Sequence, residues 1–234
     1  MKVGILCNGR HIGTENWESV VWGRDGKMGQ IPTALAVMRD YEKNGDQVSV
    51  LVFGTGVSEH NGVPEAQVMV DYTMDNLHRL PNEFPTFSDL TPDGVTILGK
   101  VLRRIVVLET TSKNTVEEVA AAMRIFEKED VDKVVDVTCR THAARCRRDI
   151  DTVMEQNSFS IPSHRVSVVS SETHYPKVTS AVKVGILEPP HRGDTPANFW
   201  SFYQVMMDIS KKFYGGDYAS QVEILLKLHE TETP

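Results

Sequence analysis

Residues 105–146, with the sequence IVVLETTSKNTVEEVAAAMRIFEKEDVDKVVDVTCRTHAARC, decide the fold class of this 234-residue chain. Two short apolar, mostly β-branched runs, 105–108 and 134–137, are each followed by a polar cluster and then by a stretch with helical periodicity. In an open α/β sheet, the junction from strand to helix lies at the carboxyl edge, where ligands bind. The stretch therefore predicts a parallel sheet and the edge that carries its functional site.

The rest of the chain repeats this alternation of strand and helix. Most candidate strands are short and do not alternate apolar with polar residues, which is typical of strands covered on both faces. Further candidate strands are residues 3–7, 48–53 and 166–169. Candidate helices are residues 31–41 and 66–77, and stretches that begin at Thr115 and Thr141. The pattern predicts a Rossmann-like three-layer α/β sandwich with a mainly parallel sheet of about five strands.

The chain is expected to form one domain over residues 1–234, with a core over about 1–170. The C-terminal extension, 171–234, is predicted to hold an edge strand at 178–187 and helices around 199–209 and 218–228. Residues 9–29 and 81–99 are predicted to be long loops. Loops of that length are often functional or cover a site.

Composition limits the partners that we expect. The chain has 25 basic and 32 acidic residues, a net charge of −7, which argues against general binding of nucleic acid or anionic membranes. Three cysteines without a paired spacing predict reduced, buried thiols. The start of the chain does not resemble a signal peptide, and no apolar run approaches ~18 residues. We expect a soluble, cytoplasmic protein whose partner is a small molecule.

The polar cluster after the run 105–108 predicts an anion site at a helix start. Thr115 and Glu118 have the spacing of a capping box, with Thr115 as the N-cap. Ser112, Lys113 and Asn114 lie just ahead, where free backbone amides and the positive end of the helix dipole favour an anion. Thr115 therefore has two alternative roles, as a helix cap or as a ligand contact.

Glu109 directly follows the same run, and a bare phosphate would be repelled by its charge. It fits a general base, an acceptor for a hydroxyl or amine, or a metal ligand. The alternative is an ion pair with a neighbouring arginine.

The second polar cluster places an imidazole and a guanidinium on one stripe of the next helix. With Thr141 as the N-cap, His142, Arg145 and Asp149 lie on one side of that helix. A histidine at a helix N-terminus is disfavoured as a cation, which suits a neutral imidazole. The guanidinium of Arg145 could bind phosphate or carboxylate with its planar fork. The alternative is a surface histidine beside an Arg145–Asp149 ion pair.

Other motifs carry little weight. Residues 54–56, Gly-Thr-Gly, follow a strand but lack the remaining glycine of a dinucleotide fingerprint. His164, Glu172, His174 and His191 are acceptable metal ligands without a recognisable spacing, so no metal is predicted. Neither GxxxxGK[ST] nor GxSxG is present.

Two motifs together resemble a known family. Residues 109–118, ETTSKNTVEE, are similar to the E-x-x-S-x-N-T-x-E-N signature of the YdcF-like proteins, and residues 137–145, VTCRTHAAR, are similar to their V-T-x-x-x-H-x-x-R segment. The segments that end at Asn8-Gly9 and at Gly54-Thr55-Gly56 lie where the family has glycine-ended strands. The resemblance covers about residues 1–170. The chain departs from the family at Gln30, where an arginine commonly opens the first long helix.

The resemblance implies a Rossmann-like sandwich with a polar crevice. Family members are linked to envelope and polyprenyl-phosphate biology, and one binds S-adenosylmethionine, which makes that molecule the implied cofactor. The implied catalytic residues are Glu109 and His142. The implied substrate or anion contacts are Asn8, Gly9, Gly54, Thr55, Gly56, Ser112, Lys113, Asn114, Thr115, Thr138 and Arg145.

Two functions stay open at this point. The first is an enzyme of hydrolase or transferase type that acts on a small anionic or nucleotide-like metabolite, with Glu109 and His142 as its acid–base pair. The second is a non-catalytic protein that binds S-adenosylmethionine or a nucleotide. They differ in whether the two side chains reach one common point. The oligomeric state does not follow from the sequence.

Overall fold

A computed structural model describes residues 1–9, 12, 16–140 and 142–173 of the chain. In chain order, its strands are β1 (Lys2–Asn8), β2 (Gly23–Arg24), β3 (Lys27–Met28), β4 (Gln47–Gly54), β5 (Glu59–His60), β6 (Val63–Pro64), β7 (Val106–Glu109), β8 (Lys133–Thr138) and β9 (Val166–Ser170). Its α-helices are α1 (Trp17–Val21), α2 (Gln30–Lys43), α3 (Glu65–Asn76), α4 (Leu80–Glu83), α5 (Pro92–Ile105), α6 (Thr115–Lys128) and α7 (Ala143–Gln156).

Five strands form one parallel sheet in the order β7-β4-β1-β8-β9. The chain moves from β1 to β4 and β7 in one direction, and it then returns across the sheet to β8 and β9. This change of direction makes a topological switch point between β1 and β8. The sheet and its flanking helices confirm the predicted Rossmann-like α/β fold.

Helices cover the two faces of this sheet and enclose two apolar cores. On one face, which we call the α2 face, helices α2, α3 and α5 pack against side chains such as Ile5 and Phe53. On the other, the α6/α7 face, helices α6 and α7 pack against Leu6 and Val52. Consecutive residues of a strand thus serve opposite cores, as the two-residue period of a strand requires.

The five central strands confirm the predicted runs to within one residue at each end. The prediction of a long loop over 81–99 is wrong, because α5 begins at Pro92. Thr91 caps this helix by accepting a hydrogen bond from the Gly94 amide at 3.1 Å. A proline at the first helical position marks a helix start as well as a turn, and the apolar residues Leu98 and Leu102 of α5 are buried in the core.

The prediction of a loop over 9–29 is also wrong in its described part, where α1 and the β2–β3 hairpin lie. The strand and helices predicted at 178–187, 199–209 and 218–228 lie outside the described residues. Cys7, Cys139 and Cys146 are buried free thiols, as predicted. Within the described ranges, no helix is long and apolar enough to cross a membrane.

Candidate functional site

The ends of the central strands align in one row at the carboxyl edge of the sheet. Asn8 pairs with Gly54, and Gly54 pairs with Glu109 on its other side. Thr138 donates a hydrogen bond from its hydroxyl to the Asn8 carbonyl at 3.1 Å and pairs with Ser170. Residues two apart in a strand share a face, so Asn8 and Thr138 lie on the α6/α7 face with Leu6 and Val134. The ends of these strands therefore carry several predicted site residues along one edge of the sheet.

The Glu109 carboxylate is buried and is occupied by its own loop. Its Oε1 atom accepts hydrogen bonds from the Thr111 amide and hydroxyl, both at 2.8 Å, and from the Ser112 amide at 3.0 Å. Its Oε2 atom accepts one from the Ser112 hydroxyl. A carboxylate has about four acceptor sites, and four donors contact this one. This arrangement suits a residue that orders the β7–α6 loop better than a base that is free to accept a proton.

Backbone hydrogen bonds connect the loop after β4 to the β7–α6 loop. The amides of Thr55 and Gly56 approach the Glu109 carbonyl at 3.4 and 3.2 Å, and the Val57 amide donates to the Ser112 carbonyl at 2.8 Å. Gly56 has φ +59°, and a Cβ atom there would lie 2.0 Å from the Ser112 carbonyl oxygen. Glycine is therefore required at position 56 by the close approach of two loops, independently of any ligand.

The start of α6 differs from the prediction, because Asn114 and not Thr115 is its N-cap. The Asn114 side-chain oxygen accepts a hydrogen bond from the Glu117 amide at 2.9 Å. The Glu117 carboxylate accepts bonds from the Lys113 amide at 2.8 Å and from the Asn114 side-chain amide at 3.3 Å. Asparagine is a better N-cap than threonine, and Glu117 stands three residues after it, so the capping box begins one residue earlier than predicted.

This cap changes the electrostatics of the predicted anion site. The carboxylate of Glu117 already lies at the positive end of α6, and Glu118 beside it is buried. An anion that approached this helix end would meet these two acidic residues. The start of α6 is therefore less favourable to an added negative charge than its position alone indicates.

The start of α7 has the opposite character. The predicted N-cap, Thr141, lies outside the described residues, and His142 occupies the N-cap position without capping through its side chain. The first turn contains Arg145 and has no acidic residue. Half-buried His142 and buried Arg145 therefore place cationic and hydrogen-bonding groups at a helix end that already favours anions.

Arg145 is held by a buried carboxylate. Its Nε atom lies 3.7 Å from Asp149 Oδ2, and both side chains are buried. Arg148 shares the same carboxylate through a bond from its Nε atom to Asp149 Oδ1 at 2.7 Å. The Arg145–Asp149 ion pair of the alternative interpretation is therefore present and buried, whereas His142 is half-buried and not on the surface as that interpretation had it. The Asp149 carboxylate is therefore shared by two arginines.

Asp136 is a buried acid below the row of strand ends, and it was not among the predicted site residues. Burial, with a smaller contribution from the charge of Asp149, raises the pKa of Asp136 to about 7, although the side chains of Asn8 and Cys146 oppose this rise. Among the described residues, neither Asp136 oxygen nor the Asn8 side-chain amide has a hydrogen bond of normal geometry. A single acid inside the apolar run 134–137 was the signal that could have identified it.

Gln30 is a second residue that the sequence did not place in the site. Its side-chain amide donates to the Asn8 carbonyl at 2.8 Å and to the Val137 carbonyl at 2.7 Å. Gln30 therefore joins the ends of β1 and β8 at the switch point. It occupies the position at which the YdcF-like proteins commonly have an arginine. The signal was its position as the first residue of α2, directly after Gly29.

The structure separates the predicted site residues into two groups along the same edge. Asn8, Gly9 and Thr138 lie at the ends of β1 and β8, from which the chain continues to the start of α7. Glu109 and its loop lie at the end of β7, which is three strand spacings from β8 in the sheet. Because neighbouring strands are ~4.8 Å apart, the ends of β7 and β8 are separated by about 14 Å.

The fold defines a Rossmann-like α/β protein with polar residues at the strand ends beside its switch point. Comparison with protein-family models, with curated proteins and with solved structures finds no match for this chain. The YdcF-like resemblance therefore stays a prediction. Across the described ranges, no group of three or more His, Cys, Asp or Glu side chains is arranged to hold a metal.

Proposed function

We propose that the protein binds a small anionic or nucleotide-like metabolite in the crevice between the ends of β1 and β8 and the start of α7. The observation that carries this proposal is the position of Arg145 in the first turn of α7, next to the switch point and without an acidic residue in that turn. Ligands of open α/β sheets bind at such switch points. A phosphate or carboxylate group would sit against the α7 amides and the guanidinium of Arg145.

The difference between the two helix starts supports this choice. Glu117 occupies the positive end of α6, whereas the positive end of α7 is reinforced by Arg145. In this proposal, Ser112, Asn114 and Thr115 form the far wall of the crevice and do not hold the anion. Glu109 keeps that wall in place through its four hydrogen bonds.

Catalysis of hydrolase or transferase type is the second candidate function. It is favoured by one observation, the half-buried imidazole of His142 beside Arg145 at the start of α7. His142 would then transfer the proton, and Glu109 would act as a positioning residue, because its acceptor sites are already used. S-adenosylmethionine remains the candidate cofactor through the YdcF-like resemblance. The proposal also includes a cytoplasmic location, which the three free thiols support.

A thermal-shift screen tests the binding proposal. The panel is orthophosphate, AMP, ADP, S-adenosylmethionine and ribose 5-phosphate. A ligand at 100 times its Kd adds ~2.7 kcal/mol of stability, which is roughly 5–10 °C in Tm for a chain of this size. A shift below about 1 °C for every member of the panel would contradict the proposal.

A further inference from the structure

The dipeptide Asn-Gly occurs three times in the chain, at residues 8–9, 44–45 and 61–62. An asparagine that precedes a glycine can lose ammonia without an enzyme, because the backbone nitrogen of the glycine attacks the side-chain carbonyl carbon of the asparagine. Glycine has no Cβ atom that would hinder this approach, and asparagine is accordingly a thermolabile residue. The three sites share this local chemistry, so their surroundings in the fold determine which of them reacts.

The first site is enclosed at the end of β1. Asn8 is fully buried, and the Gly9 amide donates a hydrogen bond to the Gly54 carbonyl at 3.2 Å. The Asn8 carbonyl accepts hydrogen bonds from the side chains of Gln30 at 2.8 Å and Thr138 at 3.1 Å. The peptide group between Asn8 and Gly9 is thus held on both sides. The attacking nitrogen cannot reach the side-chain carbon unless these buried hydrogen bonds break.

The second site is exposed, but hydrogen bonds hold it at the end of α2. The side-chain amide of Asn44 donates to the Asp40 carbonyl at 2.8 Å, and the backbone amide of Asn44 donates to the same carbonyl at 3.2 Å. The Gly45 amide donates to the Glu42 carbonyl at 3.1 Å. Both the attacking nitrogen and the leaving group are therefore engaged, and the end of the helix must open before they can react.

The third site forms the two-residue turn of the β5–β6 hairpin. Asn61 and Gly62 are both exposed and have φ values of +53° and +78°, as a type I′ turn requires. Among the residues that the structure describes, neither the Gly62 amide nor the Asn61 side chain forms a hydrogen bond. A Cβ atom at Gly62 would have nothing within 4 Å. Water therefore has free access to every atom that the reaction uses.

The hairpin that carries this turn is small. Its strands have two residues each, and they pair only through Glu59 with Pro64 and His60 with Val63. Proline has no amide hydrogen to donate, and a two-stranded hairpin is at best marginally stable by itself. The attack requires the backbone at Asn61 to leave its turn conformation. In a hairpin of this size, that local opening has a small free-energy cost.

We propose that Asn61 is a site of spontaneous deamidation in the folded protein and that Asn8 and Asn44 are protected from it. The Gly62 nitrogen forms a bond to the side-chain carbonyl carbon of Asn61 and gives up its proton to water. The bond from that carbon to the side-chain nitrogen breaks, and the nitrogen takes a proton from water and leaves as ammonia. Water then opens the five-membered imide ring to aspartate or isoaspartate. The product carries one additional negative charge at the tip of the hairpin.

Incubation of the full-length protein in mildly alkaline buffer tests this proposal. Samples taken over time are digested at mildly acidic pH, which suppresses deamidation during the digestion. Tandem mass spectrometry then measures the reaction at each asparagine separately. This assignment by residue is necessary because Asn44 and Asn61 lie in the same tryptic peptide, between Lys43 and Arg79.

The matched control is the same chain unfolded in guanidinium chloride in the same buffer. For each site, the rate in the unfolded chain divided by the rate in the folded protein gives the protection that the fold supplies, which removes the influence of the flanking sequence. We expect the protection of Asn61 to be at least tenfold smaller than that of Asn44 and that of Asn8. A smaller difference from either site, including slow reaction at all three in the folded protein, would overturn the proposal.

Discussion

The carboxylate of Glu109 accepts hydrogen bonds from both the backbone amide and the hydroxyl of Ser112. Thr111 donates two more hydrogen bonds, so the carboxylate at the end of β7 binds the loop that follows it. These contacts fix the β7–α6 loop at the carboxyl edge of the sheet. The functional chemistry that we propose is therefore displaced toward the other side, at the start of α7.

Glu109→Gln is expected to lower the free energy of unfolding by about 1–3 kcal/mol, because hydrogen bonds to a charged group are lost and a buried donor faces other donors. The control is Glu129→Gln, which removes an equal charge from an exposed position at the end of α6. The control should stay within about 0.5 kcal/mol of the wild type. Urea unfolding measures both values, and equal midpoints for the two variants would refute the loop-ordering role.

Gly56→Ala tests the close approach of the two loops. Its φ of +59° and the 2.0 Å approach to the Ser112 oxygen both oppose a side chain. Gly62 has φ +78° with nothing within 4 Å, so Gly62→Ala measures the backbone cost alone, about 1–2 kcal/mol. Gly56→Ala should cost at least about 2 kcal/mol more, since the loops must separate. Similar costs in denaturant unfolding would mean that the loops move apart freely.

Asn114→Ala and Thr115→Ala test which residue caps α6. Removal of the Asn114 side chain should cost about 1 kcal/mol, because the Glu117 amide loses its acceptor. Thr115 is the first helical residue, and its substitution should change stability by less than about 0.5 kcal/mol. Chemical unfolding of the two variants measures both losses of stability. A larger loss for Thr115→Ala would show that Thr115 is the N-cap, as the sequence predicted.

The raised pKa of Asp136 predicts that the stability of the protein decreases as the pH rises. Burial raises the pKa of this acid from 3.8 to about 7, so the folded state binds its proton more tightly than the unfolded state does. Between about pH 4 and 7, the folded state therefore loses stability relative to Asp136→Asn, by at most about 1.4 kcal/mol per pH unit. Unfolding curves at pH 5, 6, 7 and 8 measure this difference, and a difference that is constant with pH would contradict it.

The strands were predictable from the sequence because a buried parallel strand is an almost continuous apolar run. Runs such as 48–53 and 134–137 are short and rich in valine, which favours a strand over a buried helix. Helix α5 was missed because its first residues, Pro92, Asp93 and Gly94, are equally typical of a turn. Its apolar residues Leu98 and Leu102 support a helix only when their contacts with the sheet are known.

The site was predictable only where its contacts are local or follow the strand order. The position of Asn8 and Thr138 at one edge follows from their places at strand ends. The bonds of Gln30 to Asn8 and Val137 join residues 22 and 107 positions apart, and no short motif encodes them. The shift of the N-cap from Thr115 to Asn114 was a choice between two adjacent residues that can both cap a helix.

The central claim is that an anionic ligand binds at the start of α7, and a comparison of two arginines on that helix tests it most directly. Arg145 is buried in the first turn, whereas Arg147 is about half exposed and pairs with Asp151. Arg145→Gln and Arg147→Gln remove the same charge, so long-range electrostatics change equally. The measurement is calorimetric titration of each variant and the wild type with AMP or orthophosphate, whichever gives the larger thermal shift. We predict at least a tenfold loss of affinity for Arg145→Gln and less than a twofold loss for Arg147→Gln. Equal affinities for the two variants, or wild-type affinity in Arg145→Gln, would contradict the account.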